Sequence, residues 1–253
     1  MLWYKSWLDT RWRFIIGFAL CVGGAWLAVF GYPRVTRLIA LSPAVDVTTE
    51  VGRRLHDIVE LSRGFRGYIW VQWFRQSMVQ SVTLLAILLG SGGVVTHGGG
   101  ELYTLSLPVS REQLLYTRAT VGLAELLLIA FVPSLVISVM SPAIGERFSL
   151  VAALVHATCL FITCATFFSL ALLLSTSYSD VWRPLLITAA VGLVLSLAEA
   201  VNPTVAQFGV YKLMSGETYF RFGRVPWQGL LVAIAVSGGL IFTAGANVSR
   251  RDY

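Results

Sequence analysis

The chain has 253 residues, of which 56% are hydrophobic and 13% charged, and its mean hydropathy is +0.74. Soluble domains carry about a quarter charged residues, so this composition excludes an ordinary soluble domain and fits a single membrane bundle over 1–253. The net charge of +6 suits anionic lipid head groups, but the basic residues are scattered and form no stripe, which argues against nucleic acid.

The first dozen residues, MLWYKSWLDTRW, set Trp3, Tyr4, Trp7 and Trp12 among Lys5, Asp9 and Arg11. Aromatic rings with snorkelling bases predict an interfacial helix over 1–13, anchored by Trp3, Trp7, Arg11 and Trp12 and turning into the membrane afterwards. The first apolar run, Phe14–Tyr32, is near the roughly 20 residues needed to cross a bilayer. No small-residue cleavage site followed by a soluble domain comes after it, so it reads as a span and not as a signal peptide.

Residues 33–76 form a long outer loop. Its middle, VTTEVGRRLHDIVELSRGF, places Val51, Leu55, Ile58, Val59 and Leu61 near helical spacing. The YIWVQWF run that follows lies between Arg66 and Arg75 and reads as an interfacial or re-entrant piece. Span two is expected over Met78–Thr96.

The segment GGGELYTLSLPVSREQLLYTR, Gly98 to Arg118, is polar and well punctuated between two apolar runs. Three glycines release the chain. Leu102, Tyr103 and Leu105 sit on about two turns, and Pro108 stops them. Ser110 with Gln113 forms a capping box, Val109 and Leu114 stand where a hydrophobic staple would, and Glu112 favours the first turn of the new helix. A short helix, a sharp break and a second helix are therefore expected, and a force on the first would move both flanking spans.

Span three, Ala119–Met140, carries Glu125, a carboxylate in an apolar run and so a candidate for function. Arg118, seven residues back on the same face, is its expected partner. Span four, Leu150–Leu174, contains His156. A lone histidine is more often a hydrogen-bonded packing residue than a ligand, and no facing histidine offers a haem site. Cys21, Cys159 and Cys164 lie in apolar runs as small core residues, without metal or disulfide spacing. LSTSYSD after span four reads as a cytoplasmic turn.

Span five is expected over Pro184–Val201, with Glu199 near its outer end. The loop 202–224 holds Phe208, Tyr211, Tyr219, Phe220 and Phe222, which with residues 33–76 would cap the bundle outside. Span six is expected over Val225–Ala246. Gly23–Gly24, Gly90, Gly92–Gly93 and Gly238–Gly239 permit close helix contact, either within the subunit or at a dimer interface.

Six spans put both termini on one side. Over short loops, the basic residues Lys5, Arg11, Arg13, Arg111, Arg118, Arg183, Arg250 and Arg251 outnumber Arg147, Lys212, Arg221 and Arg224, which places the termini in the cytoplasm.

Leu107, Pro108, Val109, Ser110 and Arg111, with Glu101 more loosely, resemble the coupling region of type 2 ATP-binding-cassette (ABC) exporter permeases. The six-span layout and the amphipathic start are similar too. The resemblance implies a permease in the inner (plasma) membrane, paired with a second permease subunit as a homodimer or related heterodimer. It also implies two copies of an ATPase subunit that hold the ATP and Mg, and a coupling helix formed by Glu101, Leu102, Leu105, Leu107, Pro108, Val109, Ser110 and Arg111. No cofactor is expected on this chain, which has no GxxxxGK[ST] phosphate loop. Glu125 and His156 are candidates for the pathway. The cargo is left open. A membrane-embedded lipid-modifying enzyme using Glu125, His156 or Glu199 is a second reading, and a non-transporting assembly subunit a third.

Overall fold

The computed structural model describes residues 2–40, 50–92, 110–178, 180–202 and 209–250. Every regular element among the described residues is helical. Five helices are long and apolar enough to cross a membrane, within Leu2–Arg37, Glu112–Ile144, Leu150–Ser177, Trp182–Val201 and Trp227–Ser249. Their outer faces are apolar, as Leu20 and Leu27, Leu193 and Val194, and Leu231 and Phe242 all stand exposed. This is the build of a polytopic membrane protein, in which lipid covers the apolar rim.

Helix α1 is Leu2–Ala40. It runs on without a turn between residues 13 and 14, so the expected interfacial segment continues directly into the first apolar run. Nothing in its first sixteen residues breaks a helix: glycine first occurs at Gly17 and proline at Pro33. Its 39 residues span roughly 58 Å at 1.5 Å each, well beyond the hydrocarbon thickness of about 30 Å.

Helix α2, Glu50–Arg63, realises the amphipathic pattern read from the sequence. Helix α3, Phe65–Ile69, passes into a π-helical stretch, Trp70–Met78, and then into α4, Val79–Gly90. The YIWVQWF piece is helical. Trp70, Val71, Trp73 and Phe74 are buried core residues inside one continuous helical run, which begins about a dozen residues before the expected start of span two. Positions 70, 71, 73 and 74 stand at i, i+1, i+3 and i+4, so one helix face carries all four inward. Of the expected Met78–Thr96, the described part is helical to Gly90.

Helix α5 is Arg111–Met140, followed by a single 3-10 turn at Ser141–Ile144. Helices α6, Leu150–Ser177, and α7, Trp182–Val201, follow. Two short helices, α8 at Val210–Ser215 and α9 at Glu217–Phe222, precede α10 at Trp227–Ser249. The loop reading of 202–224 is thus partly replaced by short helix.

Helix α6 is the hub. Its apolar window is 61% buried, against 17% for α7 at the periphery. It packs against α4, α5, α8 and α10, while α1 lies along α5. Small side chains permit this crowding: Ala152, Ala153, Ala157, Cys159, Cys164, Ala165, Ser169 and Ala171 are all buried on α6. The closest approach is at Gly90 on α4, where a Cβ would lie 2.4 Å from the Phe168 carbonyl oxygen. That atom is backbone and cannot rotate away. Gly90→Val is therefore expected to lower unfolding stability by about 1–3 kcal/mol, the range for overpacking. Thermal melts of the purified chain in detergent would read this, and an unchanged melt would mean that α4 and α6 do not touch there.

Candidate functional site

The segment that carries the family resemblance leaves α4 and returns at α5. Glu101, Leu102, Leu105, Leu107, Pro108 and Val109 lie outside the described residues, as does any contact of the expected staple at Val109. Ser110 and Arg111 open α5. Ser110 has extended backbone (φ −66°, ψ 143°), and its Oγ accepts a hydrogen bond from the Gln113 backbone N–H at 3.3 Å. That is the cap half of the expected box. Glu112 stands in the first turn, where the helix dipole favours a negative charge.

Beside this entry point three helices meet in a partly buried polar cluster. Arg13 of α1 donates from Nη1 to the Leu88 carbonyl of α4 at 3.3 Å. A Cβ on Gly92 would lie 2.1 Å from Nη2 of Arg118 and 3.2 Å from Nη1 of Arg13, so both guanidinium groups crowd the C-terminal end of α4. The unpaired carbonyls and negative dipole end of a helix C-terminus suit cations. One helical stretch further into α5, Glu125 is only 4% exposed, and its Oε1 accepts from the Thr10 hydroxyl of α1 at 2.7 Å. Asp9, Arg13 and Glu125 all lie within electrostatic reach of Arg118. The sequence singled out Glu125 and Arg118. It missed Thr10 and Arg13, which come from the supposed interfacial segment, and the helical repeat from Trp3 to Arg13 was the only signal that could have found them.

The opposite end of the bundle is built around His156. Its Nδ1 donates to the Ser215 carbonyl at 2.9 Å, which fixes the Nδ1–H tautomer if the ring is neutral. Phe74 stacks on the ring at 4.6 Å, and Tyr219 meets it edge-on at 5.8 Å. Trp70 Nε1 donates to the same Ser215 carbonyl at 3.2 Å, and its ring stacks on Phe220 at 4.4 Å with an interplanar angle of 4°. The π register sets Arg75, five residues on, over the Trp70 ring at 5.5 Å. These contacts pin α8 and α9 into the bundle. His156 is thus held as a packing and hydrogen-bonding residue.

Glu199 has a comparable duty. Both its oxygens accept from the Tyr211 backbone N–H, at 3.1 and 3.3 Å, and Tyr211 Oη donates to the Gly192 carbonyl at 2.9 Å. Helix α8 is tied to α7 through these bonds. Between α7 and the π–α4 helix an open groove of about 590 Å³ remains. No group of three His, Cys, Asp or Glu residues that could hold a metal ion occurs among the described residues.

Of the expected anchors, Trp3 and Trp12 are exposed, Trp7 is less so, and the Arg11 guanidinium sits 5.5 Å from the centre of the Trp12 ring. They line the start of α1, at the same end of the bundle as Ser110. Searches against protein-family models, characterised proteins and solved structures found no match to this chain.

Proposed function

We propose that the chain is the transmembrane subunit of an ATP-driven ABC exporter. In this reading it crosses the inner membrane six times, with both termini cytoplasmic, and works beside a second permease subunit and two copies of a separate ATPase that bind ATP and Mg. The run over residues 65–90 is roughly 39 Å long at 1.5 Å per residue and serves as the second crossing. Residues Glu101–Arg111 are the handle that the ATPase grips. Closure of the ATPases tilts α4 and α5 together and switches a pathway between inward and outward access.

One observation carries the reading: the LPVSR motif runs directly into the Ser110 cap of α5, beside a polar cluster that clasps α1, α4 and α5. A force delivered at that point has a stiff route into three helices. The enzyme reading is less well supported, because His156 and Glu199 are engaged in holding α8 in place.

The test is the double substitution Pro108→Ala with Arg111→Ala in the complex assembled with its ATPase. Pro108 supplies the break before the cap, and Arg111 the last residue of the motif. Cargo-stimulated ATP hydrolysis is expected to fall while membrane insertion is kept. Unchanged hydrolysis with unchanged assembly would overturn the coupling role.

A further inference from the structure

We propose that the groove between α7 and the π–α4 helix is a binding site for an anionic membrane phospholipid. The groove has two regions. Its long wall is apolar, formed by Val79, Leu84 and Ile87 on one side and Ala189 and Leu193 on the other. Its rim is charged, with Arg75 and Lys212 exposed beside Glu199 and Glu217. The two helices run antiparallel, so Arg75 and Glu199 share one end and Ile87 and Ala189 the other.

The charges at the rim are not equivalent. Glu199 is bound to the Tyr211 backbone, and Glu217 accepts from Arg221 Nε at 2.7 Å. Arg75 and Lys212 have no carboxylate within 4 Å among the described residues. The rim therefore offers two cations that are not locked in a direct ion pair, Lys212 feeling Glu199 only across a longer gap, next to an apolar trough. A phosphate diester meets both as a charge-assisted hydrogen-bond acceptor. From Arg75 to Ile87 the trough extends roughly 18 Å at 1.5 Å per residue, close to the ~15 Å half-thickness of the hydrocarbon core. One acyl chain fits this length with its phosphate at the rim. A long apolar trough with cations at one end matches a lipid that carries a negative head, and a purely apolar molecule would leave Lys212 and the outer face of Arg75 without an anion. The inference needs the chain to lie in a membrane, and it stands whether or not the chain is a permease.

The experiment uses the full chain purified in mild detergent and exchanged against equal amounts of phosphatidylglycerol and phosphatidylcholine with identical acyl chains. Native mass spectrometry then counts the lipid retained. Wild type is expected to keep phosphatidylglycerol in preference. Removing a charge-assisted contact changes binding by about tenfold or more, so Arg75→Gln with Lys212→Gln is expected to abolish the preference. Lys212→Gln alone provides a milder arm, since Lys212 stacks on no ring, and is expected to weaken the preference partly. Ala189→Phe fills the trough and is expected to release both lipids while the melting temperature stays near wild type. Inorganic phosphate at millimolar concentration is expected not to compete, because it brings no chain. Equal retention of the two lipids by wild type would overturn the proposal, as would a preference that survives loss of both cations or full competition by phosphate. So would efficient disulfide cross-linking of two chains through Leu84→Cys or Leu193→Cys, since a second copy would then fill the groove.

Discussion

Alanine at Gly216 is expected to destabilise the protein more than alanine at any other described glycine outside the helix interiors. Gly216 has φ +62°, in the left-handed region where an L side chain costs about 1–2 kcal/mol. It also abuts His156: a Cβ there would lie 2.5 Å from Nδ1, the atom that donates to Ser215. The ring must move, and the Ser215 carbonyl then loses one of the two donors it receives from His156 and Trp70. Loss of a buried bond adds about 1–3 kcal/mol. Gly223 supplies the control, with φ +68° and nothing within 4 Å of its Cβ position. Gly223→Ala should therefore show the backbone term alone, and Gly216→Ala the backbone term plus the His156 term. Unfolding of the purified chain in detergent would read the difference. Equal losses at the two positions would show that His156 does not rest on Gly216. Adding His156→Ala to Gly216→Ala should cost less than the two separate losses combined, because both act on one contact.

This end of the bundle also marks the limit of what the sequence revealed. The apolar runs were plain because length and hydropathy alone decide whether a segment crosses. Spans three to six fall within α5, α6, α7 and α10 with shifts of a few residues to a turn or two. The Ser110 cap was visible too, since a cap depends on neighbours three residues away. The π segment was not. Trp70 and Phe74 next to Arg66 and Arg75 look like belt residues at an interface until their partners are known. The partners are Ser215 and Phe220 for Trp70 and His156 for Phe74, roughly 80 to 150 residues further along, and no local pattern announces them. The same holds for Glu125. Its helical neighbour Arg118 was foreseen from spacing within α5, but its hydrogen bond comes from Thr10 on another helix. Local rules recover elements and caps, while buried polar contacts depend on which helices meet.

The Thr10–Glu125 bond is where such a contact matters for the proposed coupling. Thr10→Val keeps the side-chain shape and removes the hydroxyl that donates to Glu125 Oε1. Losing one partner of a buried hydrogen bond costs about 1–3 kcal/mol, so this variant is expected to lose that much stability. Glu125→Leu takes away the acceptor, leaving Thr10 its backbone contacts at Ser6 and Trp7. It also takes negative charge from the cluster around Arg13 and Arg118, so it too should be destabilising. The double variant should be more stable than the combined single losses predict, by at least about 0.5 kcal/mol, the signature of residues in contact. Strictly additive values from unfolding in mixed micelles would sink the idea that this pair ties α1 to α5. The same variants carry a functional readout. If α1 moves with α5 during coupling, Thr10→Val in the assembled complex should weaken cargo stimulation of ATP hydrolysis while leaving the basal rate alone. A matching drop in both rates would point to lost folding and not to a loosened joint. The bond lies about four turns along α5 from the Ser110 cap and joins α5 to the amino-terminal part of α1.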